Sequence, residues 1–182
     1  DTKAQIEFNP ANVIEYRQLG YEKRQLENED FNNDLVDAGD IGAGHRVTIL
    51  YELTLAGRKP SVDPLRYQQS PASSDDEFAP RDMMAGEIAY LKFRWKPADG
   101  DKSSLAGMPV MKSALAQSFE KSGSGLRFSA AIAAYGQKLR DNPNMAGTTW
   151  EQIASWANGA RGADPYRAEF LQLVKLAGAV SR

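Results

Sequence analysis

The spacing of apolar residues changes along this 182-residue chain. Between Ile6 and Trp95 apolar side chains recur at every second position, which is the period of a strand with one buried face. From Phe128 onward they recur at the period of an amphipathic helix. The pattern therefore predicts an α+β protein, with a mostly antiparallel, sandwich-like β region over 1–125 and a bundle or layer of about three α-helices over 126–182.

Strands are predicted where apolar and polar residues alternate, over residues 4–8, 13–24, 45–56 and 87–96. Gly20 interrupts the second segment and indicates a bulge or a close backbone approach. Val47 and Ile49 belong to the expected buried face of the third. In the fourth segment the wet face should carry Lys92, Arg94 and Lys96, and the buried face should consist of Ala89, Leu91, Phe93 and Trp95. A stretch at 109–119 fits either a strand or a short helix.

The helices are marked by apolar stripes and by capping residues. The first should bury one stripe, formed by Phe128, Ile132, Tyr135 and Leu139. Thr148, with Glu151 three positions later, has the spacing of a capping box and should open the second helix. Asp164 followed by Pro165 predicts the N-cap and first residue of the third.

Composition excludes several classes of function. The net charge of −2 argues against nucleic-acid binding, which requires a clustered basic surface. The absence of cysteine excludes disulfides and thiolate chemistry. No apolar run approaches the roughly 20 residues of a membrane helix, so we expect no membrane insertion by this chain. The segment 57–86, rich in Pro and Ser, predicts a long flexible loop or an ordered lid that binds a partner.

One loop has the composition of a cation site. Asp30, Asn32 and Asp34 alternate like the opening of an EF-hand loop, but Leu35 and Ile41 occupy the positions where that motif needs Gly and Glu. Two interpretations remain open. The loop is either a turn stabilised by side-chain to backbone hydrogen bonds, or a calcium or other divalent-cation site that uses Asp30, Asn32, Asp34, Asp37 and Asp40.

No catalytic residue and no cofactor site is predicted. His45 is the single histidine, and no serine elbow or orienting acid accompanies it, so we expect a surface or structural imidazole. The acidic run 75–77 lies in the predicted flexible loop, where no rigid frame would hold an acid and a base apart.

The three tryptophans are assigned by periodicity. Trp95 and Trp150 continue the apolar faces of their strand and helix, which favours core packing. Trp156 lies one step off the apolar face of its helix. It is therefore the ring expected to be exposed and the candidate interface anchor.

Several runs carry a family resemblance: IEFNP at 6–10, YRQLGYE at 16–22, EDFNND at 29–34, DAGDIGAGH at 37–45, RFSAA at 127–131, LR at 139–140 and YRAEFL at 166–171. Together they resemble the C-terminal region of bacterial von Willebrand factor type A domain proteins of the YfbK kind, a region of unknown function. The resemblance implies that a von Willebrand domain precedes this region. It also implies an exported or lipid-anchored protein of the periplasm or cell envelope.

The resemblance transfers no catalytic residue and no metal ligand, since the Asp-x-Ser-x-Ser signature of the preceding domain is absent from this chain. The leading expectation is a non-catalytic accessory module that binds a protein partner, the adjacent von Willebrand domain, or both. A cation-responsive binding module is the alternative, and a hydrolase comes third.

Overall fold

The computed structural model describes residues 1–21, 25–36, 38–42, 44–62, 85–97, 100 and 102–181. The strands in this part of the chain are β1 (Thr2–Phe8), β2 (Val13–Leu19), β3 (Leu50–Leu55), β4 (Glu87–Trp95) and β5 (Ser104–Met111). The α-helices are α1 (Ser124–Leu139), α2 (Trp150–Ala160) and α3 (Pro165–Val180). The predicted α+β class, with antiparallel strands before three helices, is confirmed.

The chain divides into two compact units, Asp1–Leu115 and Ala116–Arg182. The first contains the strands and the second contains the helices. Residues 116–125 thus belong with the helices, whereas the sequence analysis grouped them with the strands. Most of the predicted flexible loop at 57–86 lies outside the described residues, which resume at 85.

The strand unit contains two antiparallel sheets. One has the order β1-β4-β5, and the other pairs β2 with β3. In the three-stranded sheet Thr2 pairs with Trp95, while Leu91 pairs with Met108. The sheets contact each other through Phe8, whose ring centroid lies 4.6 Å from that of Tyr16. The stretch at 109–119 is a strand only up to Met111, where β5 ends, and a 3-10 helix follows at Lys112–Ala114. Pro109 is tolerated because β5 is an edge strand.

The third predicted strand is wrong over its first five residues. Strand β3 begins only at Leu50, and Val47 and Ile49 are exposed in an irregular segment. The physical reason is the length of the partner strand. Leu19 is the last residue of β2 and pairs with Leu50, so β2 has no further residue with which positions 45–49 could form hydrogen bonds.

Gly20 ends β2 and does not form a bulge within it. Its φ of +87° is in the left-handed region, which glycine adopts without the cost of a Cβ. The irregularity in the β2–β3 pairing lies at the other end, between Val13 and Glu15. The part of the predicted strand at 22–24 lies outside the described residues.

The helices pack around a core of small and medium side chains, and the fully enclosed centre contains Ile153 and Val174. Helix α1 contributes Phe128 and the alanines at 131 and 134. The predicted α1 stripe is therefore only partly right, because Ile132 and Leu139 are exposed. Alanines let a neighbouring helix approach closely, so α1 packs on its alanine face.

The helix starts follow local capping chemistry. Asp164 caps α3 by accepting hydrogen bonds from the backbone N–H groups of Tyr166 and Arg167, and Pro165 is the first helical residue, as predicted. The predicted box at Thr148 is displaced by one residue. Thr149 caps α2 and exchanges reciprocal hydrogen bonds with Gln152.

Candidate functional site

The Asp/Asn loop packs against one face of the three-stranded sheet, where a buried lysine holds it. Lys3 of β1 is only 3% exposed, although it is charged. Its Nζ donates to the backbone oxygens of Asp30 and Asn33, at 3.2 and 2.6 Å. These carbonyls replace the water that the ammonium group loses on burial.

Two further basic side chains from β4 and its end reach the same loop. Arg94 donates to Oδ1 of Asn32 at 3.0 Å and lies 3.7 Å from the Asp34 carboxylate. Lys96 donates to the backbone oxygen of Asp34 at 2.5 Å. The end of the β4 face that carries Arg94 and Lys96 was expected to be exposed to water and is covered instead, because these two cations bind oxygens of the loop.

The Asp34 carboxylate is held by Ser103 and by the charges of two basic side chains. The Ser103 hydroxyl donates to its Oδ1 at 2.7 Å, and this bond is the largest cause that lowers the pKa of Asp34. The charges of Arg94 and Lys96 lower the pKa further. The carboxylate thus stays ionised and bound to groups of its own chain.

The four candidate cation ligands that the structure describes are held by other groups of the chain. Asp30 contributes its backbone carbonyl to Lys3, and Asn32 and Asp34 bind Arg94. Asp40 lies apart and accepts a hydrogen bond from the α-amino group of Asp1. Asp37 is outside the described residues, and in the part of the chain that is described no three His, Cys, Asp or Glu residues are grouped to hold a metal ion.

These contacts favour the interpretation of the loop as a hydrogen-bonded turn. Its own short-range bonds agree, since Asn33 Oδ1 accepts a hydrogen bond from the backbone N–H of Leu35 at 3.0 Å. His45 lies on an exposed segment nearby in sequence. The acidic run at 75–77 lies outside the described residues.

The opposite face of the same sheet is apolar and exposed at one end. We call this area the open sheet face and define it by Ala4, Phe93, Trp95, Ala106 and Met108. Ala4 of β1 and Ala106 of β5 are both paired with Phe93 of β4. Paired residues, and residues two positions apart on one strand, point to the same face, so Trp95 and Met108 lie on this side as well. Phe93 is 38% exposed, Trp95 36% and Met108 59%. The Phe93 and Trp95 ring centroids are 5.6 Å apart.

The other end of this face is covered by the two-stranded sheet. Phe8 contacts the rings of Tyr16 and Tyr51, at centroid distances of 4.6 and 5.3 Å. Its cross-strand neighbour Ala89 is buried. The sheet face is therefore divided into a closed end at Phe8 and an open end at Trp95.

Sequence reasoning assigned the tryptophans in the wrong order of exposure. Trp95, expected in the core, is exposed, whereas Trp156 is half-buried with its ring 5.2 Å from that of Phe119. Trp150 is half-buried against Tyr135. The role of Trp156 as an interface anchor stays a prediction. Met108 was missed because the segment that contains it was not assigned, although the apolar residues at 106, 108 and 110 alternate there.

None of the described helices has both the length and the apolar character that a membrane crossing requires.

Comparison with known proteins gives a family. The family model described as "Uncharacterized protein YfbK, C-terminal" matches residues 1–180. The chain is 52% identical to "Uncharacterized protein YfbK" of Escherichia coli (strain K12) over 183 residues. That match covers 100% of this chain and 30% of YfbK, so the chain spans less than a third of the length of this relative. No solved structure matches the chain. The resemblance noted in the sequence is confirmed, and the chain belongs to the family of the YfbK C-terminal region.

Proposed function

We propose that this chain is a non-catalytic accessory module of a longer protein and that it binds protein through the open sheet face. The observation that carries the proposal is the exposure of Phe93, Trp95 and Met108 side by side on a regular sheet. Aromatic residues and methionine are enriched where protein interfaces bury their centres, and an exposed apolar patch rimmed by polar residues marks such sites.

The sheet gives this face the rigidity that a binding surface needs. Its opposite side is fixed to the Asp/Asn loop through Lys3, Arg94 and Lys96. A surface with few conformations loses little entropy when a partner covers it. The basic residues therefore contribute to binding indirectly, by holding the sheet and loop together.

The setting of the module is part of the proposal. We propose that it follows a von Willebrand factor type A domain in a bacterial cell-envelope protein, with that domain or another protein as its partner. The support is the family membership together with the greater length of YfbK. Cell fractionation of the full-length protein tests the compartment, and recovery in the cytoplasmic fraction would contradict it.

A matched pair of variants tests the binding role. Met108 and Leu105 lie on β5, are 59% and 54% exposed, and point to opposite sides of the sheet. Tagged residues 1–182, as wild type, Met108→Lys or Leu105→Lys, are added to a bacterial envelope extract that contains the remainder of the full-length protein.

We expect wild type and Leu105→Lys to recover the same protein and Met108→Lys to lose it, because a buried lysine without a partner opposes binding. Circular dichroism of each variant checks that it folds. Equal recovery by Met108→Lys would contradict the proposal. Turnover of ester, peptide or glycoside substrates by the purified chain would show an enzyme instead.

A further inference from the structure

The open sheet face lies at the point where the polypeptide enters the first strand. Thr2 is directly opposite Trp95, and the backbone N–H of Lys96 donates to the carbonyl oxygen of Asp1 at 3.0 Å. A polypeptide attached before Asp1 would therefore arrive one residue from the exposed Trp95 ring. In YfbK more than two thirds of the protein lies outside the region equivalent to this chain, and that region is the C-terminal one.

We infer that in full-length proteins of this family the region directly preceding the equivalent of Asp1 covers the open sheet face. The inference rests on the proposed function and names the occupant of its surface. The open end of the face is the end at which that region is attached, while the far end is already covered by Tyr16 and Tyr51.

The entry point is held in a fixed position by the Asp/Asn loop and by Lys96. The Asp1 carboxylate accepts a hydrogen bond from the backbone N–H of Ala38 at 3.1 Å and lies 3.7 Å from Nζ of Lys96. Thr2 also donates its backbone N–H to the oxygen of Gly39 at 2.9 Å. Backbone hydrogen bonds thus fix the start of β1 at both of its edges, to Lys96 and to Gly39. The direction in which a polypeptide attached to Asp1 can run is therefore restricted.

Because the preceding region is covalently attached to this chain, it should bind the open sheet face in preference to separate proteins. A tethered partner is present at an effective concentration in the millimolar range when the linker is short and flexible. Ten extended residues reach roughly 33–36 Å, which is longer than the open sheet face along its strands. A short connector is therefore sufficient for the preceding region to fold back over Trp95, Phe93 and Met108.

The chemistry of the surface defines what it should bind. Two aromatic rings in contact and a flexible thioether accept an apolar surface or helix face and adapt to its shape. Ala4 and Ala106 have small side chains and leave space on both sides of Phe93, so bulky apolar side chains of the occupant would fit there.

The test uses the full-length protein with a specific protease site inserted just before Asp1. Hydroxyl radicals oxidise exposed methionine and aromatic side chains, and mass spectrometry measures the rate at each residue. The protein is oxidised intact, and again after cleavage and removal of the preceding region. Leu105, on the same strand and the opposite side, is the internal control.

We expect the oxidation rates of Met108 and Trp95 to rise several-fold after removal, with the rate of Leu105 unchanged. Equal rates at Met108 before and after removal would overturn the inference. The proposed function survives that result if Met108→Lys still loses a separate protein that Leu105→Lys retains. If the two variants bind alike and the rates do not change, both proposals are wrong.

Discussion

Lys3 holds the Asp/Asn loop against the three-stranded sheet. Its ammonium group is buried and binds two backbone carbonyls, at 2.6 and 3.2 Å. An apolar replacement of similar length would fill the space but leave those carbonyls without a donor. Such an unsatisfied buried group costs about 1–3 kcal/mol.

Lys3→Met should therefore lower the free energy of unfolding by about 1–3 kcal/mol and speed amide hydrogen exchange between residues 30 and 36. The exposed Lys112→Met is the control and should change either quantity little. A Lys3→Met protein as stable as the wild type would show that the buried ammonium group is not needed.

Glu15 gives a second prediction, on pH dependence. Its carboxylate accepts hydrogen bonds from the backbone N–H groups of Ser61 and Val62, at 2.9 and 3.0 Å, and from the Ser61 hydroxyl. The backbone bond from Ser61 is the largest cause that lowers the pKa of Glu15 from 4.5 to about 2. A carboxyl whose pKa falls on folding stabilises the folded state above its unfolded pKa, and this contribution disappears as the pH falls towards the folded value.

The wild type should therefore lose protection of the β2 and β3 amides as the pH falls from 4.5 towards 2. Glu15→Gln should lose less over the same range, because its side chain does not titrate. Hydrogen exchange measured residue by residue checks this, with exposed Glu7→Gln as the control. The same pH profile for Glu15→Gln and wild type would contradict the assignment.

At the scale of elements, the contact between α2 and α3 depends on a glycine. A Cβ added at Gly178 would lie 3.0 Å from the Cβ of Trp150, which is closer than ordinary packing allows. Gly136 sits at a matched position near the end of α1, and a Cβ there would meet nothing within 4 Å.

Gly136→Ala should therefore stabilise the helical unit by about 0.5–1 kcal/mol through helix propensity alone. Gly178→Ala should raise the free energy of unfolding by less than this, or lower it, because the new methyl group must displace Trp150. Thermal unfolding of the two variants measures the difference. Equal stabilisation by both would mean that α2 and α3 do not approach as closely as described.

Strands and helices could be predicted from the sequence where residues close together in the chain determine them. Strand β4 follows from strict alternation, and the start of α3 follows from Asp164 and Pro165, whose capping chemistry needs no distant partner. The start of α2 was misplaced by one residue because Thr148 and Thr149 both offer a hydroxyl. Only the side-chain bond to Gln152 distinguishes them.

At the scale of the whole molecule, alternation predicts that a strand has two faces but not which face is covered. Arg94 and Lys96 were assigned to water, yet they bind the loop that lies over them. Phe93 and Trp95 were assigned to the core, yet they are exposed. The reason is tertiary: the loop supplies carbonyl and carboxylate oxygens to one face, and this pairing joins residues about 60 positions apart.

The open sheet face could not be predicted from the sequence, because it too depends on tertiary structure. The open sheet face combines residues of β1, β4 and β5, and only the register of the strands places Ala4, Phe93 and Met108 together. The Asp/Asn loop attracted attention because its spacing imitates a cation site. In the folded unit lysine and arginine side chains of the same chain bind the oxygens of this loop.

The most direct measurement is site-specific photo-crosslinking in living bacteria. The full-length protein carries a photoreactive side chain at position 108 or, in a matched protein, at position 105, and irradiated products are identified by mass spectrometry. We expect a protein crosslink from position 108, to the preceding region of the same chain or to another protein, and none from position 105. Equal crosslinking from both positions, or none from 108, would contradict the claim that the open sheet face binds protein.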